Sequence, residues 1–202
     1  MAGKLTELIR DSKNTKKELV SFTVRIPEEL NSFIEELSEH LSLSKQATAT
    51  KMLEEAADIA TDAINQDTVE IEDSSNFRFH LLNTCKRHSL RDHQMMVDKG
   101  VAAAFSEPWK FNIDRINKGD VVFLYENGKG IVAFGKGTGK ILKREHKGEP
   151  NMCHYQQLEG FTKLENPLTA KQIKAILGRP FPFLRTMTGI SDGEKILAAI
   201  SQ

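Results

Sequence analysis

The chain has 202 residues, 39% of them hydrophobic and 28% charged, enough for one large domain or two small ones at roughly 100–200 residues per domain. No apolar run approaches the ~18 residues of a membrane span, and the amino terminus lacks the apolar core of a secretory signal. A soluble, cytoplasmic protein without a membrane partner is therefore expected, with Cys85 and Cys153 as free thiols rather than a disulfide framework.

The formal charge of zero hides a segregation. Residues 1–27 carry six Lys and Arg against three Asp and Glu, residues 28–76 two against thirteen, and residues 77–202 twenty against twelve, so the three segments stand at +3, −11 and +8. Two basic regions flanking an acidic one suggest polyanion-facing surfaces at the amino terminus and in the large carboxyl-terminal part.

The first 17 residues read as a basic flexible arm with Lys13, Lys16 and Lys17. SFTVRI at 21–26 alternates strictly: Phe22, Val24 and Ile26 share one face of a predicted strand, and Ser21, Thr23 and Arg25 the other. Pro27 ends it. Glu28 and Glu29 suit the positive end of a helix dipole, and Leu30, Phe33, Ile34, Leu37 and Leu41 form a helical stripe, predicting a helix over 28–41. After a turn at Ser42 and Leu43, Ser44 is a candidate N-cap for a second helix over 45–64. A lone strand leaves its backbone donors and acceptors without partners. The economical solution is the same strand of a second copy in an antiparallel ribbon over four helices, with dimerisation part of folding.

Strand, Pro, helix, small turn and helix over residues 18–64 resemble the ribbon-helix-helix family of DNA-binding repressors and antitoxins, with SFTVRIPEEL as the ribbon. The resemblance implies that Ser21, Thr23 and Arg25 enter the major groove of double-stranded DNA, where Arg can grip guanine and the hydroxyls can donate or accept. It also implies that the backbone at Ser44 and Lys45 holds a phosphate, while Lys16 and Lys17 add non-specific attraction. The turn departs from the family in having Ser42 and Leu43 where many members carry Gly.

Residues 65–76, NQDTVEIEDSSN, are polar and acidic and read as a linker. Beyond it, FRFHLLN at 77–83 predicts a strand, 85–98 a polar helix, and VAAAF at 101–105 a short apolar run. VVFLY at 121–125, the turn ENGKG and IVAFGKG at 131–137 predict a β-hairpin. A basic cluster of Lys140, Lys143, Arg144 and Lys147 precedes a candidate strand over 154–164, and helical patterns at 169–177 and 191–200 complete the chain. The fold class expected is α+β.

Trp109, then Lys118-Gly119-Asp120-Val121, Tyr125 and Gly130-Ile131-Val132-Ala133 resemble the PUA-like superfamily, in particular its EVE and YTH branch of small nucleic-acid-reading β-barrels. For residues 77–202 the resemblance implies a barrel with flanking helices whose pocket receives an extruded, often modified, base, with Trp109, Asn83, Thr84 and Tyr125 as candidate pocket residues. The expected whole is a dimeric DNA-binding regulator, a repressor, with higher oligomers on DNA left open. The alternative is an antitoxin whose carboxyl-terminal part grips a toxin protein.

Other signals fail. Gly135-Lys136-Gly137-Thr138-Gly139-Lys140 lacks the spacing of a phosphate loop, and Gly128-Lys129-Gly130 enters a strand rather than a helix. Cys85, His88, His93, Cys153 and His154 match no common zinc spacing. No motif supplies a nucleophile with its base, so no catalytic residue, metal or cofactor is expected.

Overall fold

The computed structural model describes residues 20–66 and 78–201. The expected basic arm with Lys16 and Lys17, and all but the first two residues of the expected linker, lie outside the described residues. The chain divides into two compact units, Met1–Glu54 and Glu55–Gln202. Among the described residues no helix is long and apolar enough to cross a membrane.

In the first unit, helix α1 spans Glu28–Leu41, with Glu28 and Glu29 in its first turn. Pro27 precedes it in extended geometry and its carbonyl accepts from the Asn31 N–H at 3.1 Å. Ser42 ends the helix in the left-handed region, φ 54°, and Leu43 N–H closes back onto Ser38 O at 3.0 Å. That is the work a glycine usually does; Ser tolerates it at a cost of about 1 kcal/mol. Ser44 then caps helix α2, Lys45–Gln66, by accepting from the Ala47 N–H at 3.1 Å. The strand expected at 21–26 does not form in the single chain: residues 20–27 belong to no sheet and are exposed. The chain offers this segment no second strand, and an extended run without a ladder is not a strand.

In the second unit, seven strands make one strongly curled mixed sheet in the order β2-β6-β4-β3-β1-β7, with β5 on β6. The strands are β1 Phe79–Asn83, β2 Val101–Phe105, β3 Val121–Glu126, β4 Gly130–Gly137, β5 Leu142–His146, β6 Glu149–Leu168 and β7 Met187–Gly189. Three α-helices join them, α3 Leu90–Lys99, α4 Ala170–Leu177 and α5 Gly193–Ile200, with a 3-10 helix over Trp109–Arg115.

The curl comes from β6. Its first part pairs with β2 and β5 and its second part with β4, so one 20-residue strand turns the sheet through a corner. The β3–β4 hairpin needs Gly130, whose φ of +125° and whose closeness to the Leu168 carbonyl exclude any Cβ.

β1 and β3 are parallel neighbours, Leu82 opposite Leu124, and both are covered on two faces. This is why VVFLY reads as a continuous apolar run. Leu82, Val122, Leu124 and the alanines of β2 join Met96 and Ile113 in one core. Leu81, Phe123, Tyr125 and Ile131 join Ile173 and Ile196 of the carboxyl-terminal helices in the other.

Candidate nucleobase cavity

A cavity of about 200 Å³ opens at the ends of β1 and β2. It falls below the range of about 300–1,000 Å³ usual for drug-sized ligands, and so suits one flat ring rather than a larger molecule. Asn83, Thr84, Ser89, Asp92, Phe105, Trp109 and His146 are among its lining residues. Sequence position separates them widely; the fold brings them together because β1 delivers Asn83 and Thr84, the start of α3 delivers Ser89 and Asp92, and β2 runs directly into the 3-10 helix that begins at Trp109.

Three of the four residues expected in a base pocket, Trp109, Asn83 and Thr84, border this one cavity. They differ in what they have left to offer. Asn83 donates from Nδ2 to Phe183 O at 3.0 Å and to Asn127 Oδ1 at 3.1 Å, while its Oδ1 accepts from the Cys85 N–H at 2.9 Å. Its polar atoms are committed to holding the wall. Thr84 Oγ1 donates to Tyr125 O at 3.0 Å and lies 2.8 Å from His93 Nδ1. Trp109 is different: its indole N–H is shielded from solvent and has no hydrogen-bond partner, so what it brings to the cavity is ring surface.

Tyr125, the fourth, does not border the cavity. Side chains alternate along β3, so Leu124 faces the core beside the cavity and Tyr125 the opposite one, where it stacks on Phe183 with centroids 4.9 Å apart.

The cavity's strongest acceptor was not legible in the sequence. Asp92, 8% exposed, lies 2.9 Å from His146 Nε2 and 3.9 Å from an Arg144 nitrogen. His146 in turn packs on the Phe105 ring at 4.5 Å. Fifty-four residues separate Asp92 from His146, and no local pattern pairs them. The basic cluster seen in the sequence falls here in part: β5 carries Lys143 and Arg144, and Lys147 lines the cavity.

Behind the cavity wall, Glu126 is buried at the end of β3. Burial alone would raise its carboxyl, but hydrogen bonds from Lys86 at 2.6 Å and Lys129 outweigh it and hold the group below its ordinary value. His93 Nε2 faces the same carboxylate at 3.5 Å, and burial pushes this imidazole down. The cluster ties the segment after β1 to the β3–β4 turn and to α3.

The residues weighed as zinc ligands go separate ways. His154 pairs with Asp114 at 2.7 Å, Cys153 lies in the core, and among the described residues no group of three or more His, Cys, Asp or Glu is placed to hold a metal. Burial pushes the Cys85 thiol up to about 11, and Cys153 upward as well, so both are protonated at neutral pH and poor nucleophiles.

Of the residues expected to meet DNA, Ser21, Thr23 and Arg25 lie in the exposed segment before α1. Ser44 is spent as a cap. Lys45 pairs through Nζ with Glu35 at 2.6 Å, which leaves its backbone rather than its side chain for a phosphate.

Among solved structures, this chain is similar to the NMR structure of Rpa0253 from Rhodopseudomonas palustris, with 20% sequence identity over 59% of this chain and 88% of that chain, at a TM-score of 0.38. No protein-family model matches the chain, and no curated protein matches it.

Proposed function

We propose that the protein is a dimeric, sequence-specific DNA-binding regulator, a transcriptional repressor, whose amino-terminal unit is a ribbon-helix-helix module and whose carboxyl-terminal unit is a PUA-like barrel that receives an extruded, modified nucleobase. The observation that carries the reading is the cavity. It combines aromatic rings and a carboxylate that is mostly buried in a space of single-ring size, with Lys147 at its edge. A flipped base meets each of these, with a π-face for Trp109, amino protons for Asp92 and a phosphate for the lysine.

The amino-terminal part of the reading is supported by an unpaid hydrophobic cost. Phe22 and Val24 are 73% and 63% exposed in the single chain, on the face that a paired ribbon buries. Arg25, on the other face, then points outward. Arg25→Ala weakens binding to the operator by about 1–3 kcal/mol without dissociating the dimer. A titration of the full protein on its own upstream DNA tests this; unchanged affinity in the variant removes the ribbon assignment.

The second reading is an antitoxin-type protein with the same ribbon, whose carboxyl-terminal part binds a toxin protein. A small toxin reading frame beside the gene, whose product co-purifies with the full chain and not with a chain cut after residue 76, favours this reading over the repressor.

A further inference from the structure

The loop between α4 and β7 ends in a tight turn, with Arg185 N–H reaching Pro182 O at 3.4 Å and Phe183 N–H reaching Phe181 O at 3.1 Å. It is braced on both sides of its tip. Phe183 O accepts from Asn83 Nδ2 at 3.0 Å, and Thr186 O accepts from the Asn83 N–H at 2.9 Å. Asn83 and Thr186 both border the cavity, so Leu184 lies two residues along the chain from its wall. Phe181 and Phe183 turn inward, their rings 5.1 Å apart and Phe183 against Tyr125. Leu184 does not: it is 51% exposed, an apolar side chain on a fixed tip next to Arg185.

A single exposed leucine needs no explanation by itself. One held on a braced tip two residues from the wall of a base-sized cavity, with an arginine next to it, does. Turning a base out of a duplex leaves a gap in the stack and costs a few kcal/mol; proteins that do so commonly fill the gap with an apolar side chain while basic residues hold the phosphates. We infer that Leu184 is the wedge that enters the duplex stack when a base is turned into the cavity. The inference rests on the base-reading proposed above. It extends that reading from a cavity that accepts a loose base to a surface that opens a duplex, and it assigns Asn83 its part. That side chain fixes the wedge relative to the cavity and has no atom left to read the base.

The test uses the full-length protein and a short duplex of arbitrary sequence carrying a central methylated cytosine, a central methylated adenine, or neither. A fluorescent aminopurine stands next to the central base. The modified strand alone serves as the second probe. Aminopurine fluorescence reports unstacking, and quenching of Trp109, the single tryptophan, reports filling of the cavity.

In the unsubstituted protein, a modified duplex raises the first signal and quenches the second. Leu184→Ala lowers the aminopurine response to the duplex roughly tenfold and leaves Trp109 quenching by the single strand unchanged, because a base already free needs no wedge. Leu184→Met restores the duplex response. The wedge is overturned if Leu184→Ala behaves as the unsubstituted protein on the duplex, or if duplex and single strand weaken together. If Trp109 of the unsubstituted protein responds to neither form, the base-reading itself fails and the wedge goes with it.

Discussion

The two units treat their apolar residues in opposite ways. In the first, Ile34 is the one buried hydrophobic residue among those described, while Phe22, Val24, Leu30, Phe33, Leu41, Leu43 and Leu53 are exposed. In the second, two clusters close around a curled sheet, with Leu81, Leu82, Phe123, Ile131 and Ile196 fully shielded from solvent. At about 25 cal/mol per Å² of apolar surface, the second unit gains its stability within one chain and the first does not. Fold autonomy therefore belongs to the curled-sheet unit, and the exposed stripe of the helical unit is what the proposed dimer would cover.

The contrast breaks first at its strongest point. Phe123→Ala removes the largest fully buried side chain and costs the carboxyl-terminal unit about 3–5 kcal/mol. Its denaturant midpoint falls accordingly while the proposed dimer, assigned to the other unit, persists; loss of dimerisation in this variant would show that the units are not independent.

Phe22→Asp makes the converse cut. A carboxylate on the ribbon's inner face abolishes dimerisation in sedimentation and lowers operator affinity by roughly a hundredfold or more, because a second half-site is no longer engaged. The unfolding midpoint of the barrel stays where it was.

A smaller effect sharpens the account of the cavity wall. Glu126→Gln loses the charged partner of Lys86 and Lys129 and costs about 1–2 kcal/mol at neutral pH. Glu126 has a folded-state pKa below its ordinary value of 4.5, so its contribution is complete above that value and lost as the pH falls through the lowered one. Stability curves of the unsubstituted protein and Glu126→Gln therefore converge in acid. His93, also depressed by burial, adds a loss below its ordinary 6.5, and a larger one in Glu126→Gln, because the Glu126 carboxylate opposes that depression.

What could be read in advance follows from where the signals were local. Helix α1 was legible to the residue because a proline, two acids and a 3.6-residue stripe coincide on it, and the β3–β4 hairpin because its glycines separate two apolar runs. β5 was not: LKREH is charged and exposed, and it is a strand only because its backbone pairs with β6. The full length of β6 was missed for a related reason, since a strand that turns a corner loses its regular alternation. In the cavity, Trp109 stood out by motif order and lines the wall. Tyr125 belongs to the same motif and packs in the opposite core, because a strand buried on both faces gives no clue to which face a given ring takes. Asp92 and His146 meet only through the pairing of β5 with β6 and the position of α3, and nothing within reach of either residue in the sequence announces the other.

The central claim is that the cavity adds to operator binding something the ribbon cannot read. It is tested most directly by comparing the full-length protein with Trp109→Ala on operator duplexes with and without a methylated base. The unsubstituted protein prefers the modified duplex by roughly fourfold, the worth of burying one methyl group, about 0.8 kcal/mol, against the aromatic wall. Trp109→Ala loses that preference and keeps its affinity for the unmodified operator. The same preference in both proteins, or none in the unsubstituted protein, contradicts the account.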